Sequence, residues 1–118
     1  MTTKKELKDS YKEMKFQVGV FQIRNLSNNK IFIDSSTDLV SIWNRHKFQL
    51  NAGQHQNTNL QKEWKEYGQE NFVYEILSEI KQDPTETTDY RKVAKELSEM
   101  FMEELQPYGD NGYNVRRG

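Results

Sequence analysis

The stretch FQVGVFQIRNLSNNKIFIDSS, residues 16–36, decides the fold of this chain. Two runs of β-branched and aromatic residues flank the polar segment Ser27–Lys30, whose composition favours a tight turn. Strands joined by so short a connection pair antiparallel, which excludes a doubly wound parallel sheet. The segment therefore predicts a β-hairpin at the start of a small sheet.

The rest of the chain predicts three helices and one further strand. The first helix follows capping residues at Ser35–Asp38, and its inner face carries Leu39, Ile42, Trp43, His46 and Leu50. The other elements are a helix over Thr58–Tyr67 ending at Gly68, a strand over Phe72–Leu77 and a helix over Thr88–Gln106. The inner face of the last helix is predicted to carry Val93, Leu97, Met100, Phe101 and Leu105.

The fold class that follows is α/β, more strictly α+β, with a three-stranded antiparallel sheet flanked by helices. Residues 1–15 are predicted to form an N-terminal helical extension, since Leu7, Tyr11 and Met14 recur at helical spacing. Residues 16–118 then form the main domain.

Composition excludes several classes of protein. The 118 residues contain no cysteine, which rules out disulfide scaffolds, cysteine-bound zinc, iron–sulfur clusters and thiol nucleophiles. No apolar run approaches the roughly 20 residues of a membrane span, so we expect a cytoplasmic protein without membrane contact. The net charge of −1 lacks the strongly basic footprint of many nucleic-acid binders, although residues 16–51 are mildly basic.

A set of short motifs resembles the GIY-YIG nuclease superfamily in order and spacing. Gly19-Val20-Phe21 is followed after ten residues by Phe32-Ile33-Asp34, then by Trp43-Asn44-Arg45-His46 and finally by Gly112-Tyr113-Asn114. The resemblance covers about residues 17–115. It implies a GIY-YIG-like fold and metal-dependent hydrolysis of phosphodiesters. In that chemistry two tyrosines organise the attacking water, an arginine stabilises the phosphate, a glutamate binds the metal and an asparagine supports the site.

At the positions that the resemblance marks as catalytic, this sequence carries other residues. Phe21 and Phe32 replace the two tyrosines, so both hydroxyls are missing. Ile42 replaces the arginine, and an isoleucine offers no charge to an oxyanion. Ser98 falls at the metal-binding glutamate, with Glu99 beside it as a possible metal ligand only if the helix changes register.

Other positions keep polar or basic residues. Asp34 stands at a motif glycine and adds a negative charge there. His46 and Asn114 are retained, and Arg45 and Lys47 are the candidate contacts to nucleic acid.

The histidines and acids also have plain structural readings. His46 is either a partly buried structural histidine or part of the site, and His55 is expected to be solvated in a polar loop. The two histidines are too few and too far apart for a histidine-built metal site. Glu96, Glu99 and Glu103 form a solvated acidic face or a cation site.

Three functions follow as alternatives. The leading one is a GIY-YIG-like domain without standard nuclease activity, retained to bind DNA or RNA or to regulate, and needing no cofactor. The second is a metal-dependent endonuclease with a rebuilt site that uses Mg²⁺ or Mn²⁺, with Asp34, Glu96 or Glu99 as ligands and His46 as base. The third is a protein-interaction module, as a monomer or a homodimer, whose cleft is filled with apolar side chains. The motifs also look like a stand-alone subgroup often labelled LuxR-type or ArsR-type transcriptional regulators.

Overall fold

The central strand β1 (Val18–Asn25) organises the sheet by pairing antiparallel on both sides. Its partners are β2 (Ile31–Ser36) and β3 (Phe72–Ile80), in the order β2-β1-β3. The predicted hairpin and three-stranded antiparallel sheet are thus confirmed. This computed structural model describes residues 17–82 and 88–115, so the helix predicted over residues 1–15 lies outside the described residues.

Close approach of β1 to β3 explains one motif glycine. A Cβ on Gly19 would collide with the carbonyl oxygen of Ser78. β3 also runs to Ile80, three residues beyond the predicted end at Leu77, because Ser78–Ile80 continue to pair with Val18–Val20. A strand end set by its partner is not encoded in its own alternation.

Three helices with side-chain caps follow the predicted order. They are α1 (Leu39–Asn51), α2 (Thr58–Tyr67) and α3 (Tyr90–Leu105). Asp38, Asn57 and Asp89 each accept hydrogen bonds from backbone N–H groups of the first turn. Gly68 ends α2 with φ of 89°, a conformation that favours glycine. No helix among the described residues is long and apolar enough to cross a membrane.

The core lies where β1, β3, α1, α2 and the C-terminal segment meet. It is a cluster of large apolar and aromatic side chains: Phe21, Ile23, Leu39, Leu50, Leu60, Trp64, Phe72 and Tyr113. Four of these eight are aromatic, as a chain with a modest apolar fraction requires. The predicted inner face of α1 is confirmed, since Leu39, His46 and Leu50 are buried and Ile42 and Trp43 pack against the cluster.

The inner face of α3 differs from the prediction. Ala94 and Ser98 are its buried residues, whereas Met100 is 66% exposed and Leu105 is 42% exposed. Small side chains let the helix approach β1 and β2 closely, so Ala94 and Ser98 face the sheet while Met100 and Leu105 face solvent. The periodicity predicted the helix but not which side faces the sheet.

Candidate functional site

Phe21 and Phe32 lie on adjacent strands and enclose a histidine between them. Phe21 is fully buried and Phe32 is half-buried. The His46 ring centre lies 5.5 Å from that of Phe21 and 5.8 Å from that of Phe32. The two positions that the resemblance assigns to tyrosines therefore form apolar walls around an imidazole.

His46 and His55 are direct neighbours, which corrects two expectations. Nδ1 of His46 lies 2.8 Å from Nε2 of His55, and only 9% of His55 is exposed. The predicted solvated His55 is wrong, and so is the expectation that the two histidines are far apart. The chain returns through a tight turn at Gly53, which has φ of 74°, and this turn places His55 back over α1.

Burial keeps both imidazoles neutral. It lowers the pKa of His46 to about 4, helped by the nearby His55 and the Arg45 guanidinium. Burial also lowers the pKa of His55. Near pH 7 the pair carries no charge.

Asn114 clamps the hairpin to the C-terminal segment. Its Oδ1 accepts from the backbone N–H of Ile33, and its Nδ2 donates to the carbonyl oxygen of Ile33, both at 2.8 Å. Gly112 pairs with Ile31 just before it, and a Cβ there would collide with backbone atoms of Ile31 and Pro107. Asn114 thus holds the outer edge of β2, and it also lines the cleft described next.

An open cleft of about 1150 Å³ lies between β2, α1 and α3. Its rim includes Phe32, Ile42, His46, His55, Ser98 and Asn114, so most of the site residues predicted from sequence lie together. Phe21 lies behind them in the core. The filled cleft expected for an interaction module is not found among the described residues.

The cleft carries both signs of charge. The charged side chains on its walls, within residues 17–82 and 88–115, are Asp34, Arg45, Arg91, Lys95, Glu99 and Glu103. The last four recur every fourth residue along α3, which makes one half of that wall basic and the other acidic. The sequence analysis did not select Arg91 and Lys95, although their spacing of four was readable.

The two cations predicted to contact nucleic acid, Arg45 and Lys47, lie on different parts of the surface. Arg45 lines the cleft and is exposed. The Lys47 ammonium lies 5.3 Å from the centre of the Trp43 ring, and Lys47 is not part of the cleft wall. Only Arg45 of this pair faces a ligand held in the cleft.

Asp34 is a partly buried acid on the wall of the cleft. Its Oδ1 accepts from the backbone N–H of Ser35 at 2.8 Å. Burial nonetheless raises its pKa. A partly buried carboxyl group in a cleft is a candidate functional group.

The position that the resemblance assigns to the metal-binding glutamate holds no carboxylate in this chain. Ser98 is 2% exposed, and its hydroxyl donates to the carbonyl oxygen of Lys95 at 2.6 Å, within its own helix. Glu99 is exposed on the cleft rim. Within the part of the chain that the structure describes, no three His, Cys, Asp or Glu side chains converge to hold a metal ion.

Comparison with known proteins adds independent findings. No family model matches the chain. Intron-associated endonuclease 1 of Enterobacteria phage T4 is 33% identical over 97 residues, which are 82% of this chain and 36% of that protein. The chain therefore spans about a third of the length of this curated relative.

Solved structures agree with the sequence match. A mutant of the catalytic domain of intron endonuclease I-TevI superposes with a TM-score of 0.71 at 30% identity, covering 86% of this chain and 95% of that domain. A second structure, of the catalytic domain of homing endonuclease I-TevI, gives a TM-score of 0.67 at 30% identity, with 85% and 99% covered. The predicted three-stranded α+β fold is thus that of a known endonuclease catalytic domain.

Proposed function

Because the chain belongs to the GIY-YIG nuclease superfamily, we propose that it binds nucleic acid in its cleft without the standard cleavage chemistry of that family. The proposal rests on which residues stand at the positions that the resemblance marks as catalytic. By the resemblance, the family's two hydroxyls, guanidinium and carboxylate fall at Phe21, Phe32, Ile42 and Ser98. Losing one well-placed electrostatic group costs about 10²- to 10³-fold in rate, and here several are missing together.

Three cationic side chains on the cleft wall support the binding of nucleic acid. Arg45, Arg91 and Lys95 line an open groove whose floor and rim are polar as well as apolar. Cations that neutralise phosphates supply most of the affinity of nonspecific nucleic-acid binding. Double-stranded DNA is the first ligand to test, since the similar proteins are named as intron and homing endonucleases.

The binding experiment is a fluorescence-anisotropy titration of labelled duplex DNA at several salt concentrations, with RNA and single-stranded DNA in parallel. The double variant Arg91→Ala/Lys95→Ala should weaken binding about tenfold and reduce the salt dependence by about one to two phosphate contacts. Lys92→Ala is the matched control, because Lys92 is exposed on the same helix but does not line the cleft. Absence of salt-sensitive binding to any of the three nucleic acids would refute the proposal.

An endonuclease with a rebuilt site is the second candidate, and Asp34 is the observation that favours it. A carboxyl group with a raised pKa borders the same cleft as Glu99. Under this alternative, Mg²⁺ or Mn²⁺ should raise the melting temperature of the protein, and Asp34→Asn should abolish that rise. Glu104→Gln is the control, because Glu104 is exposed on the same helix as Glu99 and lies off the cleft wall.

The regulator label of the subgroup receives no support from the comparisons, which match endonuclease domains. A regulatory role, a homodimer and a cytoplasmic location stay predictions. Light scattering of the purified chain at several concentrations tests the homodimer.

A further inference from the structure

The hydrogen bonds of His55 determine which of its ring nitrogens carries the proton. Its Nδ1 lies 3.0 Å from the backbone nitrogen of Asn57 and receives that N–H. A backbone N–H only donates, so Nδ1 of His55 is unprotonated. The neutral ring then carries its proton on Nε2.

The same reasoning fixes His46. Nε2–H of His55 points at Nδ1 of His46 across 2.8 Å, so Nδ1 of His46 accepts and its proton lies on Nε2. No buried side-chain nitrogen of the described residues lacks a hydrogen-bond partner, so a ring nitrogen of His46 without one must be accessible to solvent. His46 lines the cleft. Its Nε2, the ring nitrogen that His55 does not contact, is therefore the one open to a ligand in the cleft.

We propose that Asn57, His55 and His46 form a one-way hydrogen-bond relay that makes His46 a fixed neutral Nε2–H donor to an anion oxygen in the cleft. The ligand class rests on the proposed function, since a phosphodiester oxygen is the acceptor that this donor suits. His46 then has no free lone pair facing the cleft, so it does not serve there as the general base of a rebuilt nuclease. His55 and Asn57 are positioning residues in this arrangement.

The residues packed around His46 favour a neutral imidazole as the donor. The Phe21 and Phe32 rings pack on His46, and the Phe32 edge also contacts His55 at 5.9 Å between ring centres. The aromatic rings hold the imidazole orientation, and burial between them removes the water that a charged ring needs. Arg45 on the same helix disfavours a second positive charge beside it. An oriented N–H group adds direction to the charge that Arg45 supplies to a ligand.

Nuclear magnetic resonance tests the relay in the ligand-free chain. Long-range ¹H–¹⁵N spectra of ¹⁵N-histidine-labelled protein at pH 7.5 should show both rings protonated only on Nε2, with a scalar coupling between Nε2 of His55 and Nδ1 of His46. In His55→Phe the His46 signals should move to those of a tautomer mixture. In His55→Gln, which keeps an amide donor near the Nε2 position, they should stay unmixed. A mixed or Nδ1-protonated His46 in the wild-type protein overturns the proposal.

Inorganic phosphate tests the donor role at constant ionic strength. The ¹H and ¹⁵N signals of the His46 Nε2–H group should shift saturably, and His55→Phe should weaken the apparent affinity several-fold, whereas Lys47→Ala should leave it unchanged. No shift of this group at any phosphate concentration overturns the donor role. The relay is measured without DNA, so a fixed tautomer in a protein that fails to bind DNA refutes only the proposed function. A mixed tautomer in a protein that binds DNA refutes only the relay.

Discussion

Two parts of the cleft differ in what their residues do. The polar part is a connected frame, in which Asn57 bonds to His55, His55 bonds to His46, and Asn114 forms two hydrogen bonds to Ile33. The apolar part consists of Phe32 and Ile42, which line the cleft and pack against the core, with Phe21 buried behind them. The frame that shapes the cleft is present, and packing residues occupy the positions that the resemblance assigns to the tyrosines and the arginine. Under the proposed function, the cleft keeps its shape without the standard chemistry of the family.

The largest expected effect tests whether the apolar part is true core. Phe21→Ala should lower the free energy of unfolding by about 3–5 kcal/mol, because it leaves a cavity at a fully buried site. Phe48→Ala removes the same ring from a site that is 75% exposed and should change stability by less than about 0.5 kcal/mol. Urea denaturation measures both. Equal losses in the two variants would contradict the assignment of Phe21 to the core.

The second prediction addresses the frame. Asn114→Ala should cost about 2–3 kcal/mol, because it removes two hydrogen bonds and leaves both backbone groups of Ile33 without that partner. Asn44→Ala is the control at an exposed position of α1 and should be neutral or slightly stabilising. If the two variants unfold at the same urea concentration, the clamp contributes nothing to the fold.

The third prediction concerns the pH dependence of stability. The folded-state pKa of His46 is about 4, below its ordinary value of 6.5, so its contribution is complete above pH 6.5 and is lost as the pH falls towards 4. The loss should be about 1–3 kcal/mol. His55 has the same sign, whereas the raised pKa of Asp34 acts in the opposite direction on acidification. Urea denaturation between pH 7.5 and 4.5 should give a flatter profile for His46→Leu than for the wild-type protein, and parallel profiles would exclude His46 as the cause.

The smallest effect separates the two predicted cations. Arg45→Ala should weaken DNA binding about threefold to tenfold, which is roughly 1 kcal/mol. Lys47→Ala should leave it nearly unchanged, because Lys47 lies over the Trp43 ring and off the cleft wall. Anisotropy titrations at one salt concentration measure the difference. A larger loss for Lys47→Ala would place the ligand outside the cleft.

Local sequence signals predicted much of the fold. The hairpin, the Asp38 cap and the end of α2 at Gly68 depend on short segments, and all three are confirmed. The sequence did not reveal the pairing of His46 with His55 or the rotation of α3 towards Ala94 and Ser98. Both depend on how separate segments pack in three dimensions, which neither helical periodicity nor residue type encodes.

The residues of the candidate site, like the fold, could be predicted only in part from the sequence. Motif order identified Phe21, Phe32, Ile42, His46 and Asn114, and the structure places them in or behind one cleft. Motif order could not show that Asn57 donates to His55, because a hydrogen bond from a backbone N–H group has no signature in the sequence. Motif order also could not show that Arg45 lines the cleft whereas Lys47 lies over the Trp43 ring, because the packing around each side chain determines its direction.

One measurement tests the central claim, that the cleft binds nucleic acid but lacks the groups that cut it. Supercoiled plasmid is incubated with Mg²⁺ or Mn²⁺ at protein concentrations that saturate binding, and the products are separated on agarose. The expected result is plasmid that is bound yet stays supercoiled, as in a sample without protein. Nicking or linearisation that disappears in Asp34→Asn would contradict the account and establish the rebuilt endonuclease in its place.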